Sequence, residues 1–78
     1  MEIEGKIITV MESWPLQLTV QGQTALYDVV LRSDTQITQK GSVLDPGSLR
    51  PDLSVRISGQ VSSSNPLAVN AQVIEVLQ

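Results

Sequence analysis

Between positions 53 and 61 the chain reads Leu53-Ser54-Val55-Arg56-Ile57-Ser58-Gly59-Gln60-Val61, a strict alternation of apolar and polar residues in which Gly59 takes one apolar slot. Successive side chains of an extended strand point to opposite faces. Leu53, Val55, Ile57 and Val61 are therefore predicted to share one face, and Ser54, Arg56, Ser58 and Gln60 the other. Such a strand is half buried, with a core on one side and water on the other.

Similar runs recur. The first, over residues 3–11, places Ile3 and Ile7 on one face with Gly5 between them, then slips so that Ile8 and Val10 form the apolar pair. A slip of one residue moves the apolar set to the opposite face. A bulge or bend at Ile7-Ile8, or a strand shared by two sheets, accounts for it. After a turn at Ser13-Trp14-Pro15, residues 16–21 alternate cleanly, and Gln21-Gly22-Gln23 marks a second turn with Gly22 free to take a positive φ. Residues 25–31 form a third strand. Its inward set is either Tyr27, Val29 and Leu31, or Leu26 with Val30. Thr35-Gln36-Ile37-Thr38 reads as a short polar strand or as its extended continuation.

Residues 40–52 contain Gly41, Pro46, Gly47 and Pro51 and read as irregular, with a strong turn at Asp45-Pro46-Gly47 stabilised by the Asp45 side chain. Pro51 disfavours helix at the residue before it and limits any helix there to one turn near 48–50. Ser62-Ser63-Ser64-Asn65-Pro66 is a hairpin loop. The last strand, 67–77, begins with Leu67, Val69, Ala71 and Val73 on one face and slips at Val73-Ile74, so that Ile74 and Val76 follow.

These elements need a core that the composition can supply. The chain has 78 residues, 41% of them hydrophobic, with one Trp, one Tyr and no Phe, so the core is aliphatic. A chain of this size buries about 60–65% of its unfolded surface and supports one domain, spanning residues 1–78. Five or six strands, short turns and two bent strands predict an all-β fold: a small antiparallel barrel of OB (oligonucleotide/oligosaccharide-binding) type without a long helix. A small open β-sandwich is the alternative. Closure removes edges that would otherwise recruit other chains.

The sequence also excludes chemistry. Without His or Cys there are no imidazole bases or ligands, no thiolates and no disulfides. Neither a catalytic set nor a cofactor site is expected, and the protein is read as no enzyme. Lys6 sits two residues from Glu4 on one face, which reads as a surface ion pair worth little. Asp28, Asp34, Asp45 and Asp52 lack the alternate spacing of a calcium loop, so no metal site is expected. The net charge of −3, with no basic run, argues against a general nucleic-acid binder. No segment reads as a signal peptide, a membrane span or a basic amphipathic helix. If Met1 is the native start, residence in the cytoplasm is expected. Oligomeric state is not readable from the sequence.

Several segments in order resemble a known pattern: Glu4-Gly5-Lys6-Ile7-Ile8-Thr9-Val10, Leu18-Thr19-Val20-Gln21-Gly22, Thr35-Gln36-Ile37, 49–59 with its Val55-Arg56-Ile57-Ser58-Gly59, and Ala71-Gln72-Val73-Ile74-Glu75-Val76. Together they resemble a bacterial family of small domains of unknown function with an OB-like β-barrel. At Pro51-Asp52 this chain departs from the glycine turn of that pattern. The resemblance implies a small barrel and brings no catalytic residues. It also implies relatives that are often exported or associated with the cell envelope.

Candidate ligand-contact residues are Trp14, Tyr27, Arg50 and Arg56. Trp14, in the first turn, either stacks on a base or sugar ring or caps the open end of the barrel, and the scarcity of other aromatics favours the cap. Tyr27 is expected half buried with its hydroxyl reaching solvent. Arg32, Lys40, Arg50 and Arg56 either converge on an anion or are ordinary solvated cations, and a mixed-charge surface favours the second. An OB-type nucleic-acid groove needs aromatics and cations on the outer faces of the second and third strands. The outward positions of the second strand carry Gln17, Thr19 and Gln21, and Asp28 nearby would repel phosphate. The expectation is a non-catalytic interaction or structural module with a protein partner. A saccharide is second, and the alternative of OB-type single-stranded nucleic-acid or oligosaccharide binding has its nucleic-acid half disfavoured.

Overall fold

The computed structural model describes residues 1–11 and 15–77. Six strands form: β1 (Glu2–Met11), β2 (Gln17–Gln21), β3 (Leu26–Gln39), β4 (Ser42–Val43), β5 (Ser54–Val61) and β6 (Ala68–Val76). The pairing runs β2-β1-β5-β6-β3, and β2 pairs with β3, so five strands close into a ring while β4 extends the far end of β3. This is the predicted small all-β barrel, OB-like in its connectivity, and the open sandwich is not formed. One part of the expectation is corrected. The barrel is mixed, because β3 and β6 are parallel while the other pairs are antiparallel. A ring with an odd number of strands cannot alternate direction all the way round, so a parallel pair is unavoidable.

The core is wholly aliphatic. Ile3 and Ile7 from β1, Leu18 and Val20 from β2, Val29, Leu31 and Ile37 from β3, Val55 and Ile57 from β5, and Val69, Ala71, Ile74 and Val76 from β6 fill the barrel, and no polar residue is buried among the described ones. The third strand therefore uses its Tyr27-Val29-Leu31 face, with Tyr27 half buried against the core, and continues without interruption to Gln39. Leu49 joins the core from the irregular segment, flanked by Leu44 and Leu53, so one leucine fills space that the segment is too short to fill with a helix.

Both slips are real, but they resolve differently from the alternation rule. In β1 the register with β2 shifts between Ile7 and Thr9. Ile8 is the extra residue and is 46% exposed, while Val10 turns back toward the core. In β6 the register with β5 skips Gln72, leaving Gln72 and Val73 outside and returning Ile74 to the interior. Ile8 and Val73 are thus corrected from core to surface, since a bulge adds one unpaired residue and then restores the original face. Val61 and Leu67, on either side of the hairpin loop, are also corrected from core to surface, since both are exposed.

The turns also differ in detail. Gly22 does not take a positive φ. It is needed for space, since a Cβ there would lie 2.9 Å from the Tyr27 ring. Lys40 and Gly41 both take positive φ in the two-residue turn joining β3 to β4, the geometry that matches strand twist in tight hairpins. A single 3-10 turn covers Pro46–Ser48, earlier than expected. Its lead-in residue Asp45 accepts the Ser48 N–H through its backbone carbonyl rather than its side chain. Asp52 takes a φ of 75°, the left-handed region that Asp tolerates better than most residues.

The largest register shift lies in β3. Leu31 pairs with Ala71 and Gln36 with Val73, so four residues of β3 oppose one of β6. The Thr35 hydroxyl holds this excursion: it donates to the Ala71 carbonyl at 2.7 Å and accepts the Arg32 N–H at 2.7 Å. Thr35→Val keeps the shape and removes both bonds. It is expected to cost about 1–3 kcal/mol, because two backbone groups lose their partner. Urea denaturation reads this, and Thr35→Ser is expected to recover most of the loss.

Candidate interaction surface

The registers place the outward side chains of β1, β2 and β3 in rows. Met11, Gln17 and Val30 form one row, Thr9, Thr19 and Asp28 the next, and Lys6, Gln21 and Leu26 the third. This is the barrel face that OB-type proteins use for oligonucleotides and oligosaccharides. Its central row carries a carboxylate. One lysine stands at its rim, and Met11 and Leu26 leave apolar surface exposed on either side. A cleft of about 80 Å3 between Met11, Gln17, Thr19 and Asp28 is well below the roughly 300 Å3 of a small-molecule site. The face is nearly neutral, with Lys6 against Asp28.

The three described candidate residues do not meet on it. Trp14 lies outside the described residues. Tyr27 faces the other way, half buried, and its ring borders a cleft of about 310 Å3 shared with Glu2, Ile3, Glu4, Gly22, Gln23 and Thr24. Arg50 is exposed in the connection before β5. Arg56 is on the outward face of β5, between Glu4 of β1 and Glu75 of β6, its cross-strand neighbours. The guanidinium reaches Glu4 Oε2 at 3.2 Å and Glu75 Oε1 at 3.4 Å. Its hydrogen bond to Glu4, and then the charge of Glu4, raise its pKa above the ordinary arginine value. Arg56 therefore stays charged throughout the working range. These carboxylates commit Arg56, and it is not available to a shared anion site with Arg32, Lys40 and Arg50. Glu4 also pairs with Arg56 rather than with Lys6. Lys6 lies opposite Gln21 and Ser54 instead.

The sequence hid this pairing because it depends on which strands become neighbours: Glu4 and Arg56 are 52 positions apart. The alternation does fix which way Arg56 points, and that part was readable. Among the described residues no group of three or more His, Cys, Asp or Glu could hold a metal ion, and no helix is long and apolar enough to cross a membrane. No family model, no curated protein and no solved structure matches the chain.

Proposed function

We propose that the protein is a non-catalytic interaction module whose partner is a protein, bound on the outer face of β1, β2 and β3. The observation that carries this reading is the pattern across that face: Asp28 in the central row, with exposed Met11 and Leu26 in the rows beside it. A carboxylate there repels phosphate, whereas exposed apolar side chains beside neutral polar ones gain by being covered with a protein partner. The order of the strand segments, with Asp52 supplying the left-handed backbone that a glycine would supply at that turn, also supports kinship with the bacterial OB-like family of unknown function. A saccharide is the second reading, favoured by the amide and hydroxyl groups of Gln17, Thr19 and Gln21 in the same rows.

A photo-crosslinking residue in place of Thr19, in cells, tests the leading reading. The expected result is capture of a protein that is lost with Leu26→Glu while the amide spectrum of the folded barrel is retained. A salt-sensitive movement of the Thr19, Gln21 and Asp28 amides on adding single-stranded oligonucleotide would overturn it. Movement of the same amides with oligosaccharide would give the face to the second reading.

A further inference from the structure

We infer that the first half of β1 is an open strand edge that accepts an extended basic peptide by strand addition. The inference deepens the protein-partner reading by naming a second, backbone-led contact and the chemistry of its partner.

The backbone bonding decides which way the edge points. The Met1 ammonium donates to the Gly59 carbonyl and the Gly59 N–H to the Met1 carbonyl, both at 3.0 Å, and the Ile7 N–H donates to Leu53. In an antiparallel ladder the bonded residues alternate, so Met1, Ile3, Gly5 and Ile7 turn their backbone groups toward β5. Glu2 and Glu4 turn theirs the other way. On that side β2 pairs with β1 only from Lys6 onward. Beyond Gln21 the chain turns away, with the Gly22 N–H bonded to the Ala25 carbonyl. Glu2 and Glu4 therefore face the cleft of about 310 Å3 walled by Gly22, Gln23, Thr24 and Tyr27. A segment entering there continues the sheet where β2 leaves it. Its backbone meets Glu2 and Glu4, and its inward side chain meets the Tyr27 ring.

Charge selects the occupant. The exposed carboxylates of Glu2, which has no ion pair among the described residues, and of Glu4, which is bonded to Arg56, flank the edge. If two copies paired through this edge about a two-fold axis at Ile3, Glu2 of each would oppose Glu4 of the other, and like charges directly opposite are destabilising. The edge is thus guarded against its own kind in that register, and Glu2, which holds no ion pair among the described residues, is matched to a lysine or arginine at the position facing it.

Amide titration of the full chain tests this, using a short capped peptide that alternates lysine and valine. The expected result is movement of the Glu2 and Glu4 amides and their protection from hydrogen exchange. The same peptide N-methylated on its edge-facing residues, or with glutamate for lysine, is expected to bind about tenfold more weakly or worse. Glu2→Lys, at a residue without an ion pair among those formed by Arg56, is expected to reverse the preference between the lysine and glutamate peptides. Undiminished binding of the N-methylated peptide would overturn strand addition. Movement at Thr19, Gln21 and Asp28 alone would overturn the edge while leaving the protein-partner reading standing. Concentration-dependent movement of Glu2 and Glu4 without peptide would assign the edge to a second copy. No movement at all would overturn the edge proposal, and the crosslinking experiment would decide the other reading separately.

Discussion

Gly59→Ala is expected to destabilise the barrel by about 3 kcal/mol, lowering the melting temperature of a chain this size by roughly 12–24 °C. A Cβ at this position would lie within 2.1 Å of the Asn70 carbonyl oxygen and 3.1 Å from the Ala71 Cα. Both obstacles are backbone, so no side chain can swing aside and the β5–β6 ladder must part. The position is not isolated. Ala71 also accepts the Thr35 hydroxyl, and Gln72 beside it is the residue skipped in the β5–β6 register. The close approach at Gly59, the bulge at Gln72 and the excursion of β3 meet at one corner of the barrel, and an added methyl strains all three. Two other glycines calibrate the result by thermal denaturation followed by far-UV circular dichroism. Gly47 has open space and no positive φ, so Gly47→Ala is expected to be neutral or to stabilise by about 0.4–1 kcal/mol through the unfolded chain. Gly41 also has open space but a φ of 82°, so Gly41→Ala is expected to cost about 1 kcal/mol from backbone conformation alone. If Gly59→Ala melts no lower than Gly47→Ala, the close approach of β5 to β6 is wrong.

The corner shows which parts of the fold the residues announce. Alternation in 54–61 and 17–21 marks half-buried strands, because one face of each is consumed by an aliphatic core and the other by water. Gly59 in an apolar slot signals a missing side chain, but not what occupies its place, since Asn70 arrives from another strand. Thr35 is harder still. A threonine among polar residues gives no sign that its hydroxyl spans a four-residue excursion, because Ala71 becomes its neighbour only when β3 lies beside β6. Strand direction is legible only after the count: once five strands are known to close, a parallel pair follows from the odd number.

The candidate surfaces divide along the same line. Gln17, Thr19 and Gln21 are readable as an outward set from strand parity, whereas Asp28 joins them only once β3 is seen to turn Tyr27, Val29 and Leu31 inward. The open edge at Glu2 and Glu4 is not readable, because it depends on where β2 stops relative to β1, a property of register rather than of either segment. Arg56 shows the same dependence on register: its two cross-strand neighbours are carboxylates that pair with it. A charged residue on a strand is interpretable only with the residues opposite it.

The adjacent isoleucines of β1 separate register from composition most directly. Ile7→Ala is expected to cost about 2–5 kcal/mol, and Ile8→Ala less than about 1 kcal/mol. The two residues are chemically identical neighbours, and the alternation rule alone assigns the second to the core together with Val10. The bulge between Ile7 and Thr9 reverses that assignment: Ile7 is fully buried among the β2 and β5 side chains, whereas Ile8 stands 46% exposed as the extra residue. Truncating Ile7 leaves a cavity at the point where β1 passes from its pairing with β5 to its pairing with β2, and there the barrel cannot collapse without moving both ladders. Truncating Ile8 removes surface that the fold does not cover. Urea denaturation of the pair reads the difference, with equal slopes expected for both variants because neither changes the area exposed on unfolding by much. Equal losses at the two positions would place the slip elsewhere in β1. A larger loss at Ile8 would mean that β1 crosses to its second face without a bulge, which would also shift the rows that bring Met11, Thr9 and Lys6 to the outer surface.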